Sequence, residues 1–131
     1  MKRFNLIIAM LALGVLIVSD VSAFTGQAIH KWSPPTTFTD GSALVPATDL
    51  KEYRIYCGTT AGAESSSPAA IVSGGTSTTY NMTGLPVGTT YCKITAVSAD
   101  ALGAQESAKS PEASKTITAP ASSGCSNYTM Q

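Results

Sequence analysis

Few residues in this chain have side chains suited to chemistry. His30 is its only histidine, and its three cysteines stand at positions 57, 92 and 125. With Asp40, Asp49 and many serines available, a Ser-His-Asp hydrolase can be drawn. In it an imidazole takes the hydroxyl proton and a carboxylate holds the ring in place. The G-x-S-x-G elbow that exposes such a serine does not occur. A zinc site needs His and Cys at close ligand spacing, which one histidine and widely separated cysteines do not offer. A single histidine at a sheet position is more often structural. The sequence therefore calls for no catalytic residue, no metal and no cofactor.

The residues at the start have a different purpose. Lys2 and Arg3 precede an uncharged apolar run from Leu6 to Val18, and Val21-Ser22-Ala23 comes next with small side chains. This is the pattern of a secretory signal peptide over residues 1–23, with cleavage expected after Ala23. The alternative is an uncleaved anchor, but the apolar run is shorter than the roughly 20 residues a spanning helix requires. Export to a secreted or periplasmic location is expected, with no membrane attachment after cleavage. The chain from Phe24 onward is long enough for one domain with one modest core. Acidic and basic side chains number eight each in the whole chain and form no like-charged run. Nucleic-acid binding, which needs a basic stripe, is not expected.

After the leader the hydrophobic pattern has a period of two. "QAIHKWS" puts Ala28, His30 and Trp32 on one face and Ile29 and Lys31 on the other. Pro34 and Pro35 end that strand, since proline cannot donate to a ladder. A loop from Thr36 to Thr48 turns at Asp40-Gly41. In "EYRIYCG", Tyr53, Ile55 and Cys57 share one face, and Arg54 and Tyr56 the other. A short apolar piece, "AAIVS", precedes a turn at Gly74-Gly75. "TSTTYNMTGL" is the next strand, with Tyr80 and Met82 on one face and Leu85 just beyond. In "TTYCKITAVSA", Cys92, Ile94 and Ala96 point one way; Tyr91, Lys93, Thr95 and Val97 point the other. A loop through Gly103 leads to a last strand, "EASKTITA". Residues 119–131 show no periodicity and read as a flexible C-terminal tail. Several short strands with turn signals between them predict an all-β sandwich or barrel.

An ordered set of residues narrows this further. It runs Trp32-Ser33-Pro34-Pro35, Asp40-Gly41-Ser42, Leu44, Leu50, Tyr53 and Ile55. It continues with Tyr80, Met82 and Leu85, then Gly88-Thr89, Thr95-Ala96-Val97 and Glu106-Ser107. From about Ala28 to Ile117 the chain resembles bacterial fibronectin type III domains. The resemblance implies an immunoglobulin-like two-sheet antiparallel sandwich over residues 24–118. It implies that Trp32 and Tyr53 pack between the sheets, in a core with Ile55, Tyr80, Met82, Leu85, Ile94 and Ala96. Three features depart from the family. Only Phe24 to Lys31 precede Trp32, so the leading strand, strand A, is short or missing. His30 stands where the family often has an apolar residue. Thr90 occupies the place of the family's corner tyrosine, with Tyr91 facing out.

In the implied fold, the strand ending at Cys57 lies beside the strand beginning at Cys92. The resemblance thus implies a Cys57–Cys92 disulfide, favoured in an oxidising compartment; the alternative is two buried thiols. Cys125 is left over in the tail, for an intermolecular bond or as an incidental cysteine. Arg54, Tyr56, Tyr91 and Lys93 fall on an outward sheet face, either a binding patch or an ordinary half-polar face. A missing strand A leaves the first strand with an open edge, guarded by Lys31 or completed by a strand from another chain. The expected function is a secreted non-catalytic module that binds a protein or a surface glycan. The alternatives are a structural subunit of a surface or virion assembly, joined through the open edge or Cys125 and capable of homo-oligomerising, and a small hydrolase using His30.

Overall fold

The computed structural model describes residues 25–120; the expected signal peptide and residues 121–131 of the expected tail, Cys125 among them, fall outside the described residues. Six strands form two antiparallel sheets that face one another as an all-β sandwich. Strand β1 (Thr25–Lys31) pairs with β4 (Thr79–Pro86) to make the smaller sheet. The larger sheet has the order β3-β2-β5-β6, built from β2 (Leu50–Gly58), β3 (Ala70–Ser73), β5 (Gly88–Ser98) and β6 (Ala113–Ile117). One turn of helix, α1 (Pro46–Asp49), leads into β2, and a 3-10 turn at Asp100–Leu102 comes after β5.

Local chemistry sets these boundaries. Asp40 Oδ1 accepts the Ser42 N–H at 2.8 Å and the Ser42 hydroxyl at 2.6 Å, while Gly41 takes a φ of +85°. That turn returns the chain so that Leu44 enters the core. The expected loop between Thr36 and Thr48 thus contains α1 as well. Its start is held by the Val45 N–H donating to Asp49 Oδ2 at 2.7 Å. Gly75 is buried where a Cβ would lie 1.9 Å from the Pro46 carbonyl oxygen, so only glycine fits. Its own carbonyl accepts the Tyr53 hydroxyl at 2.6 Å.

The core has two parts. Ala28, Ile55, Met82, Leu85, Cys92 and Ile117 fill one; Leu44, Leu50, Tyr53 and Ala96 fill the other. Trp32 and Ile94 are only partly buried, but each packs against both parts and joins them. The Trp32 and Tyr53 rings sit 5.1 Å apart and tilted by 55°, within the range of favourable aromatic pairs. Tyr80 is also only partly buried, at the edge of the first part. Cys57 and Cys92 are opposed in the β2–β5 register, 4.2 Å apart at Cα, and are joined by a disulfide.

One expectation needs correcting. Period-2 alternation turned Tyr56, Thr95 and Val97 outward, yet they are 5 %, 3 % and 1 % exposed. The chain between β5 and β6 lies back along β5 and brings Glu106 and Lys109 over this outer face. Two serines let it do so without regular pairing. The Ser107 hydroxyl accepts the Ala96 N–H and the Ser110 hydroxyl accepts the Ile94 N–H, both at 3.0 Å. Side-chain oxygens stand where a neighbouring strand's carbonyls would stand, so the β5 edge keeps its hydrogen bonds.

Candidate functional site

The outward face of β2 and β5 was the sequence's candidate for binding. Its side chains are instead engaged with one another. Arg54 is held between Glu52, at 2.8 Å, and Glu106, at 3.0 Å. The Glu106 carboxylate also accepts the Thr95 hydroxyl at 2.6 Å and the Tyr56 hydroxyl. Hydrogen bonds from Thr95 and Tyr56, with Arg54 close by, hold the Glu106 carboxyl below the usual glutamate range. The same contact with Glu106 raises the Tyr56 phenol, and Lys109 lies 4.4 Å from the centre of its ring. Lys93 pairs with Glu64 at 3.2 Å and approaches Glu112 at 4.0 Å. Tyr91 is half-buried between Gly58 and Ser114 in the sheet register. Tyr56 is therefore removed from any exposed binding patch. Arg54 and Lys93 already have carboxylates of this chain as partners.

The hydrolase constellation is not assembled. Asp40 serves its own turn and Asp49 the start of α1. Among the described residues no hydrogen bond joins the His30 ring to a hydroxyl or carboxylate, and its Nε2 is buried without a partner. Burial lowers the His30 pKa, which favours the neutral imidazole. The Trp32 indole N–H is likewise buried outside hydrogen-bonding geometry, although it lies close enough to the Tyr53 hydroxyl to oppose the rise that burial imposes on that phenol.

His30 and Trp32 belong to a feature that the sequence did not announce. A groove of about 740 Å³ opens between β1 and β6, along the flank of the sandwich. Ile55, Leu85, Cys92 and Ile94, all core residues or their direct neighbours, form its floor. Both walls are strand edges. β1 pairs with β4 on one side and has no partner among the described residues on the other; β6 likewise ends the larger sheet. At one end Gly26 meets Ile117, whose side chain occupies the space a Cβ on Gly26 would need. Beyond that closure the two sheets stay apart, because among the described residues no strand sits between β1 and β6 to join them. The expectation that a leading strand is short or missing was the part of the sequence reading that pointed toward this flank.

Comparison with known protein families, with curated proteins and with solved structures finds no match for this chain. No helix among the described residues is long and apolar enough to cross a membrane, and a disulfide-bonded β domain fits an extracellular location.

Proposed function

We propose that this chain is an exported, non-catalytic fibronectin type III-like module of bacterial type that works by binding another macromolecule, a protein or a surface glycan. The observation that carries this reading is the flank between β1 and β6. There, among the described residues, a strand edge and the core floor stand open together, while Arg54 on the outer face of the larger sheet is neutralised by Glu52 and Glu106. An open edge beside apolar floor is chemistry for association. The order β3-β2-β5-β6 facing β1-β4, and the Trp32–Tyr53 pair between the sheets, support the family resemblance. The signal pattern of residues 1–23 supports export.

The test is expression of the full chain in a bacterium, followed by intact mass of the exported product with and without reductant. A chain starting at Phe24 that gains two hydrogens on reduction is the expected result. A product that keeps its leader and stays in the cell overturns the exported reading.

The open β1 edge also favours a second reading, a subunit of a larger surface or virion assembly. Size exclusion at rising concentration separates the two. The binding module stays monomeric, whereas the subunit self-associates, and a doubled mass that reductant collapses makes Cys125 the link. Esterase or protease activity lost on His30→Ala would instead revive the hydrolase.

A further inference from the structure

The groove between β1 and β6 has a chemistry of its own, beginning with the backbone. The Trp32 N–H donates to the Thr78 carbonyl at 3.1 Å, and the register continues through His30↔Tyr80 and Ala28↔Met82. In an antiparallel pair, hydrogen-bonded and non-hydrogen-bonded positions alternate. Residues 28, 30 and 32 therefore spend their backbone groups on β4, and Gln27, Ile29 and Lys31 turn theirs to the open edge. Three N–H and three C=O groups are left along a stretch of about 17 Å. The same alternation turns the Ala28, His30 and Trp32 side chains inward, over the groove.

The lining adds a sign. It includes Lys31 on one wall and Lys115 on the other, and it contains no Asp or Glu. Both lysines are exposed, and among the described residues neither has an ion-pair partner; Lys93, also in the lining, already has its glutamates. Ile29, on the outer face of the open strand, is 62 % exposed.

Together these features select one occupant. We infer that the groove binds an extended, acidic peptide segment of another protein, which adds to β1 as a new edge strand. Its backbone pairs with Gln27, Ile29 and Lys31. Alternate small apolar side chains cover Ile55, Leu85 and Ile94, and a carboxylate meets Lys31 and Lys115. Main-chain bonds supply affinity in such strand addition, and pockets for alternate side chains supply selection. The edge wants a strand, the floor wants every second residue apolar, and the rim wants negative charge. This inference rests on the binding-module reading and names its site.

The test uses the exported full chain and a fluorescein-labelled peptide, Glu-Val-Thr-Val-Thr-Val-Glu. Polarisation reads binding, and amide exchange by NMR reads the place. In the free protein the amides of Ala28, His30 and Trp32 are expected to exchange slowly and those of Gln27, Ile29 and Lys31 quickly. Peptide should slow the second set. A peptide with lysine at both ends should bind about tenfold more weakly, and the double variant Lys31→Glu/Lys115→Glu should reverse that preference. Ile29→Pro removes one outward N–H that β4 does not use, so it should abolish binding while leaving the thermal midpoint close to the parent. If Ile29→Pro does not fold, the charge reversal decides alone.

Three results overturn the inference. The first is no binding of the acidic peptide. The second is binding without protection of the odd-numbered amides. The third is protection of those amides before any peptide is added, which in a monomer means that the chain covers its own edge and in a dimer that a second copy does. Failed titration with normal export removes the strand inference alone; failed export removes the module reading and the inference that rests on it.

Discussion

Replacing Glu106 with alanine tests what covers the outer face of the larger sheet. Glu106 lies on the chain between β5 and β6, and its carboxylate receives hydroxyl donors from Thr95 and Tyr56, both buried. A hydrogen bond to a charged group contributes about 1.5–3 kcal/mol, and a buried donor left without a partner costs a similar amount. Two such donors set an upper range of about 3–6 kcal/mol. The Glu106 side chain is 31 % exposed, so water can reach part of the vacated site and the expected loss falls to about 2–4 kcal/mol. Tyr56→Phe removes one donor and leaves Glu106 with Thr95 and Arg54; its expected cost is about 1–1.5 kcal/mol. Because the two side chains share one bond, the double variant should be less destabilised than the sum by about 1 kcal/mol. Urea unfolding followed through the fluorescence of Trp32, the only tryptophan, measures all three. A coupling below about 0.3 kcal/mol, the usual scatter for independent sites, would refute the account of Glu106 as the clasp of this segment.

Other consequences arise from the same contacts. The Glu106 carboxyl titrates lower in the fold than in the unfolded chain, so its contribution is fully present above the unfolded value of about 4.3 and is lost as pH falls through the folded value. Stability of Glu106→Gln against pH should therefore be flatter than the parent's in that acidic window, and parallel profiles would contradict the shift. The Cys57–Cys92 disulfide closes a separation of 35 residues, for which chain entropy predicts about 4 kcal/mol. Reduction should lower the unfolding free energy by that order, and a change under about 1 kcal/mol would show that the bond constrains little. Gly75→Ala drives a methyl into the Pro46 carbonyl and should cost more than Tyr53→Phe, which loses one buried hydrogen bond of about 1 kcal/mol. Thermal unfolding of both variants checks the order, and the reverse order would mean that the turn relaxes.

Much of the frame was legible in the sequence because its cause is local. Alternation marks which side chains share a face, and Tyr53, Ile55, Met82 and Ala96 are buried on the faces that pattern assigned; Leu85, read as just beyond its strand, is buried within β4 past a register shift at Gly84. Asp40-Gly41 and Gly74 mark turns through backbone preferences that need no tertiary partner, whereas Gly75 is fixed by the approach of the Pro46 carbonyl. The candidate binding face was misjudged at Tyr56 because alternation says which residues face the same way, not what lies over them. Its cover, Glu106, is 50 positions further along the chain, and the serines that seat the covering segment look like ordinary loop residues.

The sequence by itself determined the strands and most of their inward residues, since both stem from side-chain type and a period of two. Only the tertiary structure decided which face would be closed and which flank left open. Those outcomes depend on contacts between residues far apart in the chain. Glu106 returns to Tyr56 and shuts one face, while Ile117 meets Gly26 and closes one end of the groove; among the described residues nothing covers the β1 edge and the core floor beneath it.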